Sequence, residues 1–461
     1  MSAGNREILA VQGSPMGGTG REVPYGNAKE SDKSQSKSVI ELARIRNSAT
    51  FNLATVFIKA VERPWRLIWL PISIIGLAIS RIKGRTKKSD IRENIDSAPI
   101  DDSKRDCIVF FPTNGVGFGH FTRTLAVARK IRKEDPDVEI VFFTTMPALH
   151  ILKKEGFPTY HIPSRNVFDE MSSSVWNSIA DDLLTAVFSI HRPKAFIFDG
   201  SYPYRGMLNA IKDRGGMWKV WIKRGTLKKK EVNIPPDSFE HFDSIIRPGD
   251  AVEEELDVAP KSLVVDTDPI ILLDPEELLP REELRDRLGI PNDAVVAYLQ
   301  LGAGRINNIE SDISIAIGEL RKKGVWIVIG ESILGSRIRI PKMDGIRILR
   351  DYPNSKYFNS FDFSIQAGGY NSFHESIRYS LPAIVIPNTK TGADDQVARC
   401  MEADKKGSMI VLKEVSEKTM GAAITYILDE GNRQKMWDAA AEMHRPNGAD
   451  QVSRFVLERI P

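Results

Sequence analysis

The sequence predicts an α/β protein built from two doubly wound, Rossmann-like domains behind an N-terminal extension. Three observations predict it. From Cys107 onward, apolar runs of strand length alternate with stretches of helical spacing, the pattern of a parallel sheet covered on both faces. The alternation restarts after Lys261, and each series holds a glycine-rich strand-to-helix turn, at Gly115–Gly119 and at Gly368–Gly369. A chain of 461 residues is also too long for one compact core.

Taken in order, residues 1–104 form the extension. Its lead through Ser38 is rich in Gly, Ser, Lys and Asn, has little to bury and is expected to be disordered. From Phe51 the chain turns apolar, and between Lys59 and Lys88 eight basic residues stand against one acidic one, a local net of +7 against +3 for the whole chain. The apolar run Leu67–Ser80 has 14 residues and is broken by Pro71 and Gly76, whereas a bilayer span takes about 20. Trp65 and Trp69 beside basic flanks, with Ile74 and Ile75 between them and the next basic group, suit a segment lying in or dipping into a membrane surface at about 51–88. An extra core helix on the other domains is the competing reading. No cleavable signal is expected, because the polar lead is too long for an n-region. The protein is therefore expected on the cytoplasmic face of the membrane, peripheral or monotopic.

Residues 105–260 form the first domain, with strands at CIVFF, VEIVFFT, FPTYHIP, AFIFDG, WKVWIKR and DSIIRPG. Around Pro248–Pro260 an acidic stretch with Glu253, Glu254, Glu255 and Asp257 reads as a linker or a solvated helix. Residues 261–461 form the second domain, with strands at SLVVDTDPIILL, AVVAYLQLG, VWIVIG, GIRIL, FDFSIQA, PAIVIP and SMIVL. Helices are expected at Gln434–Met443 and Gln451–Ile460.

The chemistry concentrates in three turns. FDFSIQA is a strand and SFHESIRYS has helical spacing, so Gly368 and Gly369 lie where a helix N-terminus presents unpaired N–H groups to a phosphate, and Asn371 or Ser372 is placed to cap that helix or donate to an anion. Glu375, one turn in, suits the paired hydroxyls of a ribose. Asp395 and Gln396 follow the strand PAIVIP and offer an acceptor and an amide to a polyol at the carboxyl end of a sheet. The second turn, Gly302, Ala303, Gly304 and Arg305, is a further phosphate contact or a solvent-facing loop. The third follows CIVFF: Gly115, Gly117 and Gly119 precede a helix marked by Leu125, Ala126, Ala128 and Ile131, but His120 stands directly after the third glycine, where a dinucleotide fingerprint has none.

Together these blocks resemble the GT-B glycosyltransferases, in particular the family of the bacterial lipid-linked N-acetylglucosaminyl transferase of peptidoglycan synthesis. The resemblance runs from about Arg105 to the carboxyl end; the loop from Asn388 to Asp394 is a residue longer than the family pattern. It implies two domains facing a cleft, with the terminal helices crossing back to the first domain. It implies that the turn from Gly368 to Ser372 holds a diphosphate, Glu375 the ribose, and Asp395 with Gln396 the transferred sugar. It implies that His120 is the general base for an acceptor hydroxyl, a role that suits an imidazole whose ordinary pKa is near 6.5; capping or packing its helix is the plainer alternative. Arg123 would reach phosphate or solvent. Asp199 and Arg224 close their strands beside the same cleft; Asp199 either orients His120 or touches the acceptor, although a strand-end role is the simpler expectation for both. The expected donor is a UDP-sugar, the acceptor lipid-linked or a polysaccharide, and the reaction inverting, with Arg305 and helix dipoles on the leaving group.

No metal or other cofactor is expected. Asp266, Thr267 and Asp268 spell the D-x-D of GT-A enzymes, but near the start of the second domain, in a chain with 61 acidic residues, chance is the simpler account. Two cysteines, Cys107 and Cys400, form no CxxC, and seven histidines show no paired spacing; a reducing compartment follows. The basic cluster is interleaved with aliphatic residues, which disfavours nucleic acid as a partner. Two rivals stay open: a nucleotide-sugar 2-epimerase on the same two domains, and a non-catalytic binder of sugar nucleotide.

Overall fold

A computed structural model describes residues 106–460, apart from 114–116, 169, 213, 225–235, 253–259, 303–308, 332, 334–342 and 390–393. The N-terminal extension, with Trp65, Trp69, Ile74 and Ile75, lies outside the described residues, as does the acidic run from Glu253 to Asp257.

The first domain winds β1 (Cys107–Pro112), α1 (Gly119–Glu134), β2 (Glu139–Thr144), α2 (Leu149–Lys154), β3 (Thr159–His161), α3 (Ser173–His191), β4 (Ala195–Asp199), α4 (Arg205–Lys212), β5 (Trp218–Ile222), β6 (Ser244–Pro248) and β7 (Val264–Thr267). Among the described residues its sheet has seven strands in the order β3-β2-β1-β4-β5-β6-β7, paired in parallel throughout. Every residue of β1 is buried, as expected of a central strand covered on both faces. Ile108 and Phe110 face one core layer with Phe121 and Leu125 of α1, and Val109 and Phe111 face the other with Leu184 and Phe188 of α3.

The second domain follows with α5 (Arg281–Leu288), β8 (Val296–Gln300), α6 (Ile309–Lys322), β9 (Trp326–Gly330), β10 (Ile346–Leu349), β11 (Phe363–Gln366), α7 (Tyr370–Arg378), β12 (Ala383–Val385), α8 (Gln396–Lys405), β13 (Met409–Val411), α9 (Glu417–Leu428), α10 (Glu430–Glu442) and α11 (Gly448–Leu457). Its six described strands run β10-β9-β8-β11-β12-β13, again all parallel. Both sheets reverse winding direction once, between β1 and β4 and between β8 and β11. Open α/β sheets bind ligands at such switch points, beyond the carboxyl ends of the strands.

Two expectations are corrected here. The run SLVVDTDPIILL does not open the second sheet: Val264–Thr267 pairs with β6 at the edge of the first, and Ile270, Leu272 and Leu273 pack into the first domain's core. Of the two terminal helices, α10 stays with the second domain against α7 and α9, whereas α11 alone crosses back and packs on α1. Ala449, Val452, Val456 and Ile460 join the core under α1, each large one contributing on the order of 2 kcal/mol.

The crossing is pinned by Asn447. Its Oδ1 accepts from the Ile271 N–H at 3.1 Å and its Nδ2 donates to the Ile271 carbonyl at 2.9 Å, while Oδ1 also caps α11 through Ala449 N. Next to it, a Cβ on Gly448 would lie 1.9 Å from the Asp268 carbonyl oxygen. Backbone on both sides cannot yield that space, so Gly448→Ala should destabilise the protein by about 3 kcal/mol, read as a lowered thermal midpoint. An unchanged midpoint would contradict the tight crossing.

Candidate active site

His120 is the second residue of α1, and Asp199 is the last residue of β4, directly beside Pro112 of β1. The first switch point therefore brings them together: His120 Nδ1 lies 2.6 Å from Asp199 Oδ1. Asp199 is fully buried. Burial alone would raise its pKa, but Arg123 and His120 beside it hold the carboxyl below the usual range. A carboxylate accepts only, so the proton of the short contact sits on Nδ1 and leaves Nε2 as the basic nitrogen. Burial, outweighing the pull of Asp199, pushes the His120 pKa down, so the ring is neutral at neutral pH.

Arg123 does not face solvent. It is 2% exposed and holds Asp199 with two bonds, Nε to Oδ2 at 2.9 Å and Nη2 to Oδ1 at 2.6 Å. Gly119 opens α1, and Gly117 is exposed just before it; neither is forced by close packing. Gly115 lies outside the described residues.

At the second switch point, β11 runs into the turn Gly368–Gly369 and α7. Gly369 is the N-cap and contributes no side chain, so Asn371 and Ser372 sit within the first turn and do not cap it. That leaves first-turn N–H groups available to an anion. A Cβ on Gly368 would come within 2.3 Å of Cys400 Sγ, so the glycine there serves the packing of α7 against α8. Gly302 follows β8 with φ +89°, a left-handed turn beside the same switch point. Gly304 and Arg305 lie outside the described residues.

Glu375 lies on the wall of a cleft, partly open to solvent, between the two domains. Phe118 and Thr122 line it from the first domain, Tyr352, Asn354, Ser355 and Asn371 from the second. Burial in that wall pushes the Glu375 pKa up to about 7, against the bond that Ser355 Oγ donates at 2.9 Å. The side-chain oxygens of Asn354 and Asn371 are buried without a partner, two acceptors ready for donors of a ligand.

The Asp395–Gln396 pair is already engaged. Asp395 caps α8, accepting from Ala398 N at 3.0 Å, and Gln396 is buried, accepting from Asn388 N at 3.0 Å. The neighbour Asp394 is the residue that meets the first domain: it accepts from Arg224 Nη1 and from Arg399 Nη2, both at 2.8 Å. Burial would raise its pKa, but the two guanidiniums hold it down to about 2. Arg399 also takes both oxygens of Asp250 at 2.7 Å. Arg123, Arg224 and Arg399 surround the ring of Tyr370, the first residue of α7, at 5.4, 5.3 and 5.6 Å. Nothing local in the sequence marks this junction, since Arg224 and Asp394 are 170 residues apart.

Asp266 and Asp268 are accounted for structurally, the first by a pair with Arg247 and the second by Gln451 Nε2 at 2.7 Å. Among the described residues the one trio with metal-ligand chemistry is Cys107, Glu139 and His191, at the amino ends of β1 and β2 and so away from the cleft. His191 already engages both ring nitrogens, with Glu139 at 3.0 Å and Tyr160 at 2.8 Å.

Two parallel domains meeting at their switch points can be compared with known folds. MurG of Acinetobacter baumannii superposes with a TM-score of 0.51 at 13% identity, over 77% of this chain and 99% of that one. The glycotransferase of kitacinnamycin gives 0.57 at 12% identity, over 78% and 100%. The chain has the GT-B glycosyltransferase fold. Another GT-B neighbour, the spinosyn rhamnosyltransferase SpnG complexed with thymidine diphosphate, gives 0.51 at 13% identity over 77% and 99%. In sequence the chain is 24% identical over 371 residues to the UDP-N-acetylglucosamine–N-acetylmuramyl-(pentapeptide) pyrophosphoryl-undecaprenol N-acetylglucosamine transferase of Acetivibrio thermocellus, covering 74% of this chain and 95% of the relative. No protein-family model matches. The expected fold and the resemblance to this type of transferase therefore stand.

Proposed function

We propose that the chain is a membrane-associated glycosyltransferase that moves a sugar from UDP onto a lipid-linked or polysaccharide acceptor, with inversion and without a metal. One observation carries the reading: the His120–Asp199 pair and the Gly368–Glu375 turn stand at the switch points of two domains that share one cleft. Nε2 of His120 takes the proton of the acceptor hydroxyl as its oxygen attacks the anomeric carbon. The carbon–oxygen bond to the diphosphate breaks on the opposite face, and the configuration inverts. The departing charge is met by first-turn N–H groups of α7 and the dipole behind them, so the site has a means of stabilising diphosphate without a divalent ion. Glu375 accepts from ribose hydroxyls, and Asn354 and Asn371 offer acceptors to a donor group of the base or ribose.

The acceptor class is supported by the relative's own lipid-linked acceptor. Membrane attachment rests on the basic, apolar segment at 51–88; no helix among the described residues is long and apolar enough to cross a membrane.

The test is nucleotide release from UDP-, dTDP- and GDP-sugars with and without membrane lipid extract, UDP-N-acetylglucosamine first. Extract-dependent release of UDP, unchanged by EDTA and giving a product of inverted anomeric configuration, is the expected result. Loss of turnover in EDTA would remove the metal-independent mechanism. Interconversion of the donor without any extract would favour the epimerase.

A further inference from the structure

Among the described residues the Asp199 carboxylate is shared among three side-chain contacts. Oδ2 receives Nε of Arg123 at 2.9 Å, whereas Oδ1 receives His120 Nδ1 and Arg123 Nη2 together, each at 2.6 Å. Arg123 stands one helical turn after His120, which brings its Nη2 within 2.9 Å of the imidazole Nδ1. Both are donors in the assignment above, and they tolerate each other because one oxygen serves both. We propose that Arg123 is a positioning residue for the base, fixing the Asp199 carboxylate in place and offsetting its charge so that His120 waits as a neutral ring with Nε2 as the basic nitrogen. The proposal rests on His120 being the base.

A histidine paired with a buried carboxylate and nothing else is drawn toward the imidazolium, because an opposite charge in a dry site favours the charged form. An imidazolium has no lone pair for a hydroxyl proton. A guanidinium cannot give up its proton at any working pH, so placed on the carboxylate it supplies a permanent counter-charge. The groups facing His120 agree with this. Arg123 comes from its own helix, Asp199 from the end of β4, Arg224 from the segment after β5, and the neutral Tyr370 ring from α7 lies against both arginines. Arg224 is itself paired with Asp394 at 2.8 Å, so the counter-charge held directly on the Asp199 carboxylate is that of Arg123. The fork matters as well as the charge, since two bonds to the two oxygens fix the plane of the carboxylate and with it the direction of Nδ1.

The experiment separates the two roles in the full chain carrying labelled histidine, by following the His120 ring through a pH titration by NMR, with His120→Gln to assign its signal. Donor turnover is measured across the same pH range. In the wild type His120 should titrate below its ordinary 6.5. Arg123→Gln should raise that midpoint by more than about one pH unit and move the acid limb of kcat/KM upward with it. Arg123→Lys keeps the charge and loses the fork: its midpoint should stay within about half a unit of wild type while turnover drops about tenfold or more at every pH. A wild-type His120 that titrates at or above 6.5, or an Arg123→Gln midpoint that does not move, overturns the proposal. Should the glutamine variant fail to fold, Arg123→Lys still decides, since an upward shift of a full unit in its midpoint, or turnover equal to wild type, also overturns the proposal. If the titrations behave as stated but His120→Gln retains turnover, the base assignment falls while the effect of Arg123 on the ring stands.

Discussion

His120→Ala should lower turnover of the UDP-sugar by about 10²–10⁴-fold while leaving UDP affinity unchanged. The split follows from the architecture. His120 belongs to the first switch point, and the groups that hold nucleotide in the proposed complex, Glu375 and the turn before it, belong to the second. Removing the imidazole takes away the proton acceptor and leaves the donor wall as it was. Asp199→Asn should fall in the same direction, because an amide that donates to Nδ1 would move the ring proton to Nε2 and turn the basic nitrogen into a donor. The measurement is UDP release with lipid extract, set beside the Kd of UDP from a calorimetric titration. A variant that keeps its kcat and loses only KM would show that His120 binds donor and does not transfer protons.

Glu375→Ala should do the reverse, weakening UDP by about 100-fold, about 3 kcal/mol, through the loss of two charge-assisted bonds to ribose hydroxyls. The wild-type affinity should also depend on pH, with a sign that the structure dictates. In the empty cleft burial raises the Glu375 pKa to about 7, so near neutral pH the carboxyl is partly protonated. Ribose hydroxyls donate to the ionised form and favour it, so binding releases a proton. Affinity should therefore be flat above pH 7 and fall toward tenfold per unit below it. Glu375→Gln should remove this dependence and isolate whatever the phosphates of UDP contribute by their own titration. A wild-type affinity that does not change between pH 5.5 and 8 would separate Glu375 from the ribose.

Much of the fold was legible because each parallel strand is a short apolar run between turns, and each run singled out in the sequence contains a strand. The error at Val264–Thr267 has a physical cause. An edge strand is half-exposed, with Asp266 facing solvent, and its own residues do not say which of two sheets completes it. The site was legible where chemistry is local, at His120 and at the turn before α7. It was illegible where a side chain is used across the chain. Arg123 on α1 reads as a cation aimed at phosphate until β4, 76 residues later, brings Asp199 to it. The cleft wall from Tyr352 to Ser355 carries no motif, and only the fold sets Tyr352 Oη 2.8 Å from Thr122 Oγ1 on the other domain. Asn371 and Ser372 were natural candidates to cap α7, but the turn places Gly369 at that position.

The helix α11 sets an order of events in the life of the chain. Its apolar face lies in the core beneath α1, and Ser453 on it donates to Glu134 at the end of α1, 319 residues earlier. Domains commonly fold as they leave the ribosome, the N-terminal one first. Here the first domain emerges with a strip of its core uncovered and keeps it so until α11 has been made. Nascent chains arrested before Gly448 should therefore expose that strip to proteases and chaperones, and a break anywhere in the second domain would leave both halves incomplete.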